Sequence, residues 1–204
     1  TASGLYTLTS LGLERDYYLR LPTGYVAGEE SRPLLIALHG AGDSIDGWFD
    51  GGFQGGGLQR LSRDGAIMVI PNARPAAEGR RIWDVSTETD YVFFLDLLSE
   101  LEQRVGYDKR RIFVTGHSAG ALMTHELGCR YGNIIRAIAP SAGSITSSAA
   151  PRCTGSVAVL LMQSESSTVA RSMFSLMKQM WQMRWMLGMV CLRSVGVRIF
   201  LTMM

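Results

Sequence analysis

The stretch RIFVTGHSAGALMTHELGCR, residues 111–130, constrains the fold of this 204-residue chain more than any other. RIFVT (111–115) is a short apolar run of the kind buried on both faces of a sheet, and ALMTHELGCR (121–130) reads as a helix. Between them lies Gly116-His117-Ser118-Ala119-Gly120. Two glycines flanking a serine let a chain turn sharply from strand to helix and leave the hydroxyl exposed. Ser118 is therefore a candidate nucleophile. The Ala119 N–H, at the start of the following helix, is a candidate donor to developing negative charge.

The remaining pattern gives that turn its setting. PLLIALHG (33–40) and AIMVIPN (66–72) are further buried-strand candidates, and YYLRL (17–21) alternates as a strand does. Apolar residues at Tyr91, Phe94, Leu95, Leu98, Leu101 and Val105 make a helical stripe, with Asp96, Glu100 and Arg104 opposite and Gly106 as a stop. IIRAIAPSAG and VAVLLMQ (157–163) add two strand candidates. Strands alternating with helices predict an α/β fold with a mostly parallel central sheet and helices on both faces. Functional groups in such sheets collect beyond the carboxyl ends of the strands, where both GHSAG and the loop His39-Gly40-Ala41-Gly42 fall. The Ala41 N–H is the natural second oxyanion donor.

Composition narrows the function. A hydrophobic share of 47% with 19% charge fits one packed domain, and a net charge of +2 gives no reason to expect nucleic acid. No apolar run approaches the ~20 residues of a membrane span. The N-terminus shows no signal-peptide pattern, as expected also of a mature exported chain. Cys129, Cys153 and Cys191 have no metal-ligand spacing. They read either as buried thiols or as a Cys129–Cys153 disulfide that leaves Cys191 unpaired.

RDYYLRLP (15–22), RPLLIALHGAGDS (32–44), DGAIMVIPNA (64–73), DYVFFLDLLSEL (90–101), YDKRRIFVTGHSAGALM (107–123) and AIAPSAGS (137–144) together resemble the α/β-hydrolase family of secreted polyhydroxybutyrate depolymerases, feruloyl esterases and acetyl xylan esterases. The resemblance covers roughly residues 15–163. It implies hydrolysis of aryl, acetyl or hydroxyalkanoate esters through an acyl-enzyme on Ser118, with Ala41 and Ala119 as oxyanion donors. It implies a small-molecule or polymer-linked substrate, no metal or organic cofactor, and an extracellular or periplasmic location. Trp48 and Trp83 are expected either to line an acyl pocket or simply to pack.

The rest of the expected triad is harder to find. In that family an acid and then a histidine follow the nucleophile. After Asp108 the chain has no aspartate, and its later acids are Glu126 and Glu165. Its histidines are His39, His117 and His125. His125 lies two helical turns beyond Ser118, ~10 Å along the axis, and His39 and His117 read as packing residues. The triad acid and triad histidine are thus unassigned. The alternative to an esterase is a hydrolase-fold protein that is inactive or very weak, at most a binding module.

Residues 164–204 form a separate unit after the 1–163 core, with Met173, Met177, Met180, Met183, Met186 and Met189 and a net charge of +4. This tail is expected to be helical or poorly specified. It reads as a packing helix, as a basic amphipathic helix for a membrane surface or partner, or as the product of a shifted reading frame.

Overall fold

The computed structural model describes residues 1–28, 32–49, 65–76, 79–143, 153, 157–163, 191–194 and 197–203. Strands β1 (Gly4–Ser10), β2 (Leu13–Arg20) and β3 (Leu34–Leu38) are followed by helix α1 (Ile45–Phe49) and β4 (Ile67–Pro71). Helix α2 (Thr89–Arg104), β5 (Ile112–His117), α3 (Ala119–Arg130), β6 (Ala137–Ser141) and β7 (Ala158–Gln163) continue the alternation, and β8 (Cys191–Ser194) and β9 (Val197–Met203) close it. The sheet order is β1-β2-β4-β3-β5-β6-β7-β9-β8. From β4 to β7 all neighbours are parallel, while β2 joins β4, and β9 joins β7, antiparallel.

The apolar runs are strands because both faces of the sheet are covered. Along β3, Leu34, Ile36 and Leu38 enter one core cluster with Tyr91, Phe94, Leu97 and Leu101 of α2 and Met123 and Leu127 of α3. Leu35 and Ala37 enter a second cluster on the opposite face, with Met68, Ile70 and Ile45 of α1. A one-residue slip would exchange these sets, so the register Leu34↔Ile112 to Leu38↔Gly116 between β3 and β5 is strongly specified.

Two details differ from the sequence expectation. Strand β1 has no apolar run; its Tyr6 and Leu8 pack on the core while Leu5, Thr7 and Thr9 face out. It forms because Leu11 and Gly12, at φ 49° and 74°, make the two-residue turn that pairs it with β2. On α2 the buried stripe includes Phe93 and Leu97, whereas Leu95 is 39% exposed. The opposite side is not a solvent face alone: Arg104 pairs with Glu100, stacks on the Tyr6 ring 4.3 Å from its centroid, and Glu100 accepts from the Tyr17 hydroxyl. At the end of α2, Gly106 takes φ 67°, and its N–H reaches back to Leu101 O, as the stop signal predicts.

In the tail, expected to be helical or poorly specified over 164–204, Cys191–Ser194 and Val197–Met203 are strands. The methionine-rich part, 164–190, lies outside the described residues, as do Glu165 and the Trp48 side chain. Among the described residues no helix is long and apolar enough to cross a membrane.

Candidate active site

Ser118 sits between β5 and α3 with φ 53° and ψ −115°, a backbone conformation that costs a non-glycine residue on the order of 1–3 kcal/mol. The flanking glycines explain how the turn closes. A Cβ on Gly116 would stand 2.2 Å from Gly120 O, and one on Gly120 would stand 2.1 Å from Leu38 O. Both are backbone contacts that cannot swing aside. The elbow is further held by Ser118 N–H donating to Ser141 O, and by Ser118 O accepting from Ala121 and Leu122 N–H. Ser118 is exposed.

The loop after β3 reaches the same place. A Cβ on Gly40 would lie 3.7 Å from Ser118 Cβ, so the two segments are in van der Waals range. Gly40 to Asp43 forms a tight turn, closed by Asp43 N–H to Gly40 O and carrying Gly42 at φ 77° in its third position. Ala41 is the second residue of that turn. Among the described residues neither the Ala41 nor the Ala119 N–H is taken up by a partner, and Ala119 is the first residue of α3, whose leading N–H groups have no intrahelical acceptor.

His39 fixes this loop from below. It is fully buried; its Nδ1 donates to Gly40 O at 2.7 Å and its Nε2 accepts from Ala73 N–H at 3.0 Å. Burial lowers its pKa, with the Gly40 carbonyl and Asp43 opposing, so the ring is neutral and both nitrogens are engaged. This is the packing role expected of it. The His39 carbonyl accepts from Trp83 Nε1 at 2.8 Å. Trp83, 5% exposed, is thus a support of the glycine loop as well as a packing group. His117 is half-buried with its pKa lowered by burial, and its Cδ2 lies beside Gly40. His125 is buried inside α3, its pKa likewise lowered by burial, with the Gly143 backbone and Glu126 opposing. Among the described residues no imidazole hydrogen-bonds Ser118 Oγ.

Sequence reasoning missed the charged support beneath the loop. Arg15 on β2 and Asp90 at the start of α2 form a buried ion pair at 2.7 Å, with Arg15 3.8 Å from the centroid of the Phe93 ring. Arg15 also donates to Asn72 O, Asn72 Oδ1 accepts from Ile45 N–H, and Asp90 Oδ2 accepts from Asp84 N–H. The residues beside Trp83 are thereby tied to the strands that carry the loop. Asp84 is held at about 2: burial opposes its ionisation, but hydrogen bonds from Thr87 and Ser86 outweigh it. The only trace of this in the sequence is an arginine inside an otherwise alternating strand. Cys129, near the end of α3, is disulfide-bonded to Cys153, resolving the two cysteine readings.

No family model matches the chain. Feruloyl esterase B of Piromyces equi is 30% identical over 132 residues, 63% of this chain and 24% of that protein. Feruloyl esterase D of Neurospora crassa is 30% identical over 141 residues, 65% of this chain and 47% of that protein. A poly(3-hydroxybutyrate) depolymerase of Ralstonia pickettii is 29% identical over 142 residues, 59% of this chain and 29% of that protein. The chain therefore spans less than half the length of these relatives. Among solved structures, a ferulic acid esterase superposes with a TM-score of 0.56 at 21% identity, over 69% of this chain and 60% of its own. A thermostable esterase does so at 0.58 and 18%, over 78% of this chain and 45% of its own. The chain has the α/β-hydrolase fold and is similar in sequence to feruloyl esterases, acetylxylan esterases and a polyhydroxybutyrate depolymerase.

Proposed function

We propose that the chain is a serine carboxylic-ester hydrolase acting on aryl, acetyl or hydroxyalkanoate esters. The observation that carries this reading is the exposed Ser118 at φ 53°, locked between two glycines that admit no Cβ and lying against the Gly40–Asp43 turn. Ser118 Oγ attacks the ester carbonyl, and the oxyanion is received by the Ala41 and Ala119 N–H groups. Collapse expels the alcohol, which leaves with a proton, and water then releases the acid and restores the serine hydroxyl. The Cys129–Cys153 bond supports an extracellular or periplasmic location, since such bonds persist in oxidising compartments.

A second reading is favoured by one observation: both nitrogens of His39 are committed to the backbone, and His125 is buried within α3. On that reading the protein binds esters but turns them over weakly. An oxyanion hole and binding alone can retain ~10³-fold catalysis over water. Labelling with a serine-directed fluorophosphonate, with the modified peptide located by mass spectrometry, separates the two. The esterase reading expects rapid modification of Ser118 and loss of p-nitrophenyl acetate hydrolysis in Ser118→Ala. A folded protein whose Ser118 stays unlabelled sinks it.

A further inference from the structure

Residues 74–76 and 79–81 carry three arginines next to the glycine loop, and the ester-hydrolase reading uses none of them. Gly42 N–H donates to Arg81 O at 2.8 Å, which fastens Arg81 to the loop, while Ala76 N–H donates to Arg80 O and Pro75 bridges to Arg81. The Arg80 side chain lies along Gly42, with Nε 3.3 Å and Cγ 3.6 Å from where a Cβ would stand. A Cβ on Gly42 would press on Arg80 by only a few tenths of an ångström; the φ of 77° is what favours glycine there. Arg81 donates to Ala73 O from a half-buried position, whereas Arg74 and Arg80 are exposed. Among the described residues none of the three forms an ion pair. The acids of the neighbouring loop are Asp43, whose Oδ1 accepts from Ser44 N–H and abuts Gly47, and the exposed Asp46.

We infer that Arg80 is a specificity-determining residue that binds a carboxylate carried by the ester substrate close to the scissile carbonyl. The inference rests on the ester-hydrolase reading of Ser118. Arg80 lies across the residue that follows Ala41, and the turn brings Gly40 back against Ser118. The guanidinium is thus on the order of 10 Å from the serine, given ~3.8 Å between successive Cα atoms. A carboxylate two or three carbons beyond the carbonyl falls within that span. Arginine suits the task because its planar fork donates two parallel hydrogen bonds to a carboxylate. Arg74 and Arg81, close to it in sequence, carry like charge, which favours the approach of anionic substrates. The favoured class is the ester whose acyl part ends in a carboxylate, such as a dicarboxylic hemiester.

The test compares kcat/KM for p-nitrophenyl hemisuccinate and p-nitrophenyl acetate in the wild type, Arg80→Gln, Arg80→Lys and a distant control, Arg110→Gln. The hemisuccinate-to-acetate ratio is expected to fall roughly ten- to hundredfold in Arg80→Gln. It should recover in part in Arg80→Lys, stay unchanged in Arg110→Gln, and decline with salt in the wild type. An unchanged ratio in Arg80→Gln overturns the proposal. If neither ester is hydrolysed, the ester-hydrolase reading fails, and binding decides the Arg80 site separately. Monomethyl succinate titrated by NMR should bind the wild type and lose affinity in Arg80→Gln; equal binding to both overturns the site.

Discussion

The indole N–H of Trp83 donates to the carbonyl oxygen of His39 at 2.8 Å, and that same oxygen would lie 2.6 Å from a Cβ on Gly120. The peptide leading into the Gly40–Asp43 turn is therefore clamped between an indole and the first turn of α3. Replacing Trp83 by Phe keeps most of the apolar bulk and leaves a buried carbonyl without its donor, at a cost of about 1–3 kcal/mol. In Trp83→Phe, kcat for p-nitrophenyl acetate is expected to fall more than tenfold with KM changed less than threefold. Denaturant titration should report the stability loss. A fall in stability with kcat intact would restrict Trp83 to packing.

The elbow glycines give a second expectation. Gly116→Ala and Gly120→Ala each push a methyl group into backbone atoms that cannot move independently of the sheet. Overpacking against side chains typically costs 1–3 kcal/mol, and a backbone clash near 2.1–2.2 Å exceeds that range. Both variants are expected to unfold or to lose more than ~3 kcal/mol. Gly4→Ala meets nothing within 4 Å and should be neutral by thermal melting.

Acid sensitivity follows from the buried histidines. Burial lowers the folded-state pKa of His39 and His125 below the ordinary 6.5. The unfolded chain then binds protons first, so each contributes stability that is complete above 6.5 and declines as pH falls below it. The slope is up to ~1.4 kcal/mol per pH unit per histidine. Urea midpoints measured from pH 7.5 to 5 should drop accordingly, and His125→Gln should flatten part of the fall. A midpoint that holds level to pH 5 would contradict the neutral, buried assignment.

The Cys129–Cys153 bond closes a loop with a sequence separation of 24. Chain-entropy reasoning assigns a loop of that size about 3 kcal/mol. Cys129→Ser, or reduction of the native protein, should lower the unfolding free energy read from urea titration by about that amount. The expected loss in Tm is several degrees.

How far the fold was legible depends on how local each signal is. The elbow was readable because its cause is steric and confined to five residues, and the buried strands were readable because burial on both faces leaves an unbroken apolar run. Strand β1 was not, since its pairing depends on the positive-φ turn at Leu11 and Gly12 and only alternate residues reach the core. Leu95 was placed on the wrong side of α2 because the buried arc is centred on Phe94, Leu97 and Leu101, with Phe93 drawn in under the Arg15 guanidinium. The site's supports, Trp83 under His39 and Arg80 along Gly42, join residues about forty positions apart and leave no mark on local periodicity.

The register that sets Leu38 opposite Gly116 has a kinetic consequence. The Gly40–Asp43 turn and the Ser118 elbow leave neighbouring strand ends, so neither is placed against the other until β3 and β5 have zipped together. Pairings between such distant segments form slowly, because the intervening chain must first lose its freedom. During refolding, helical signal should return before the capacity of Ser118 to react. That lag times the closing of a single strand pair.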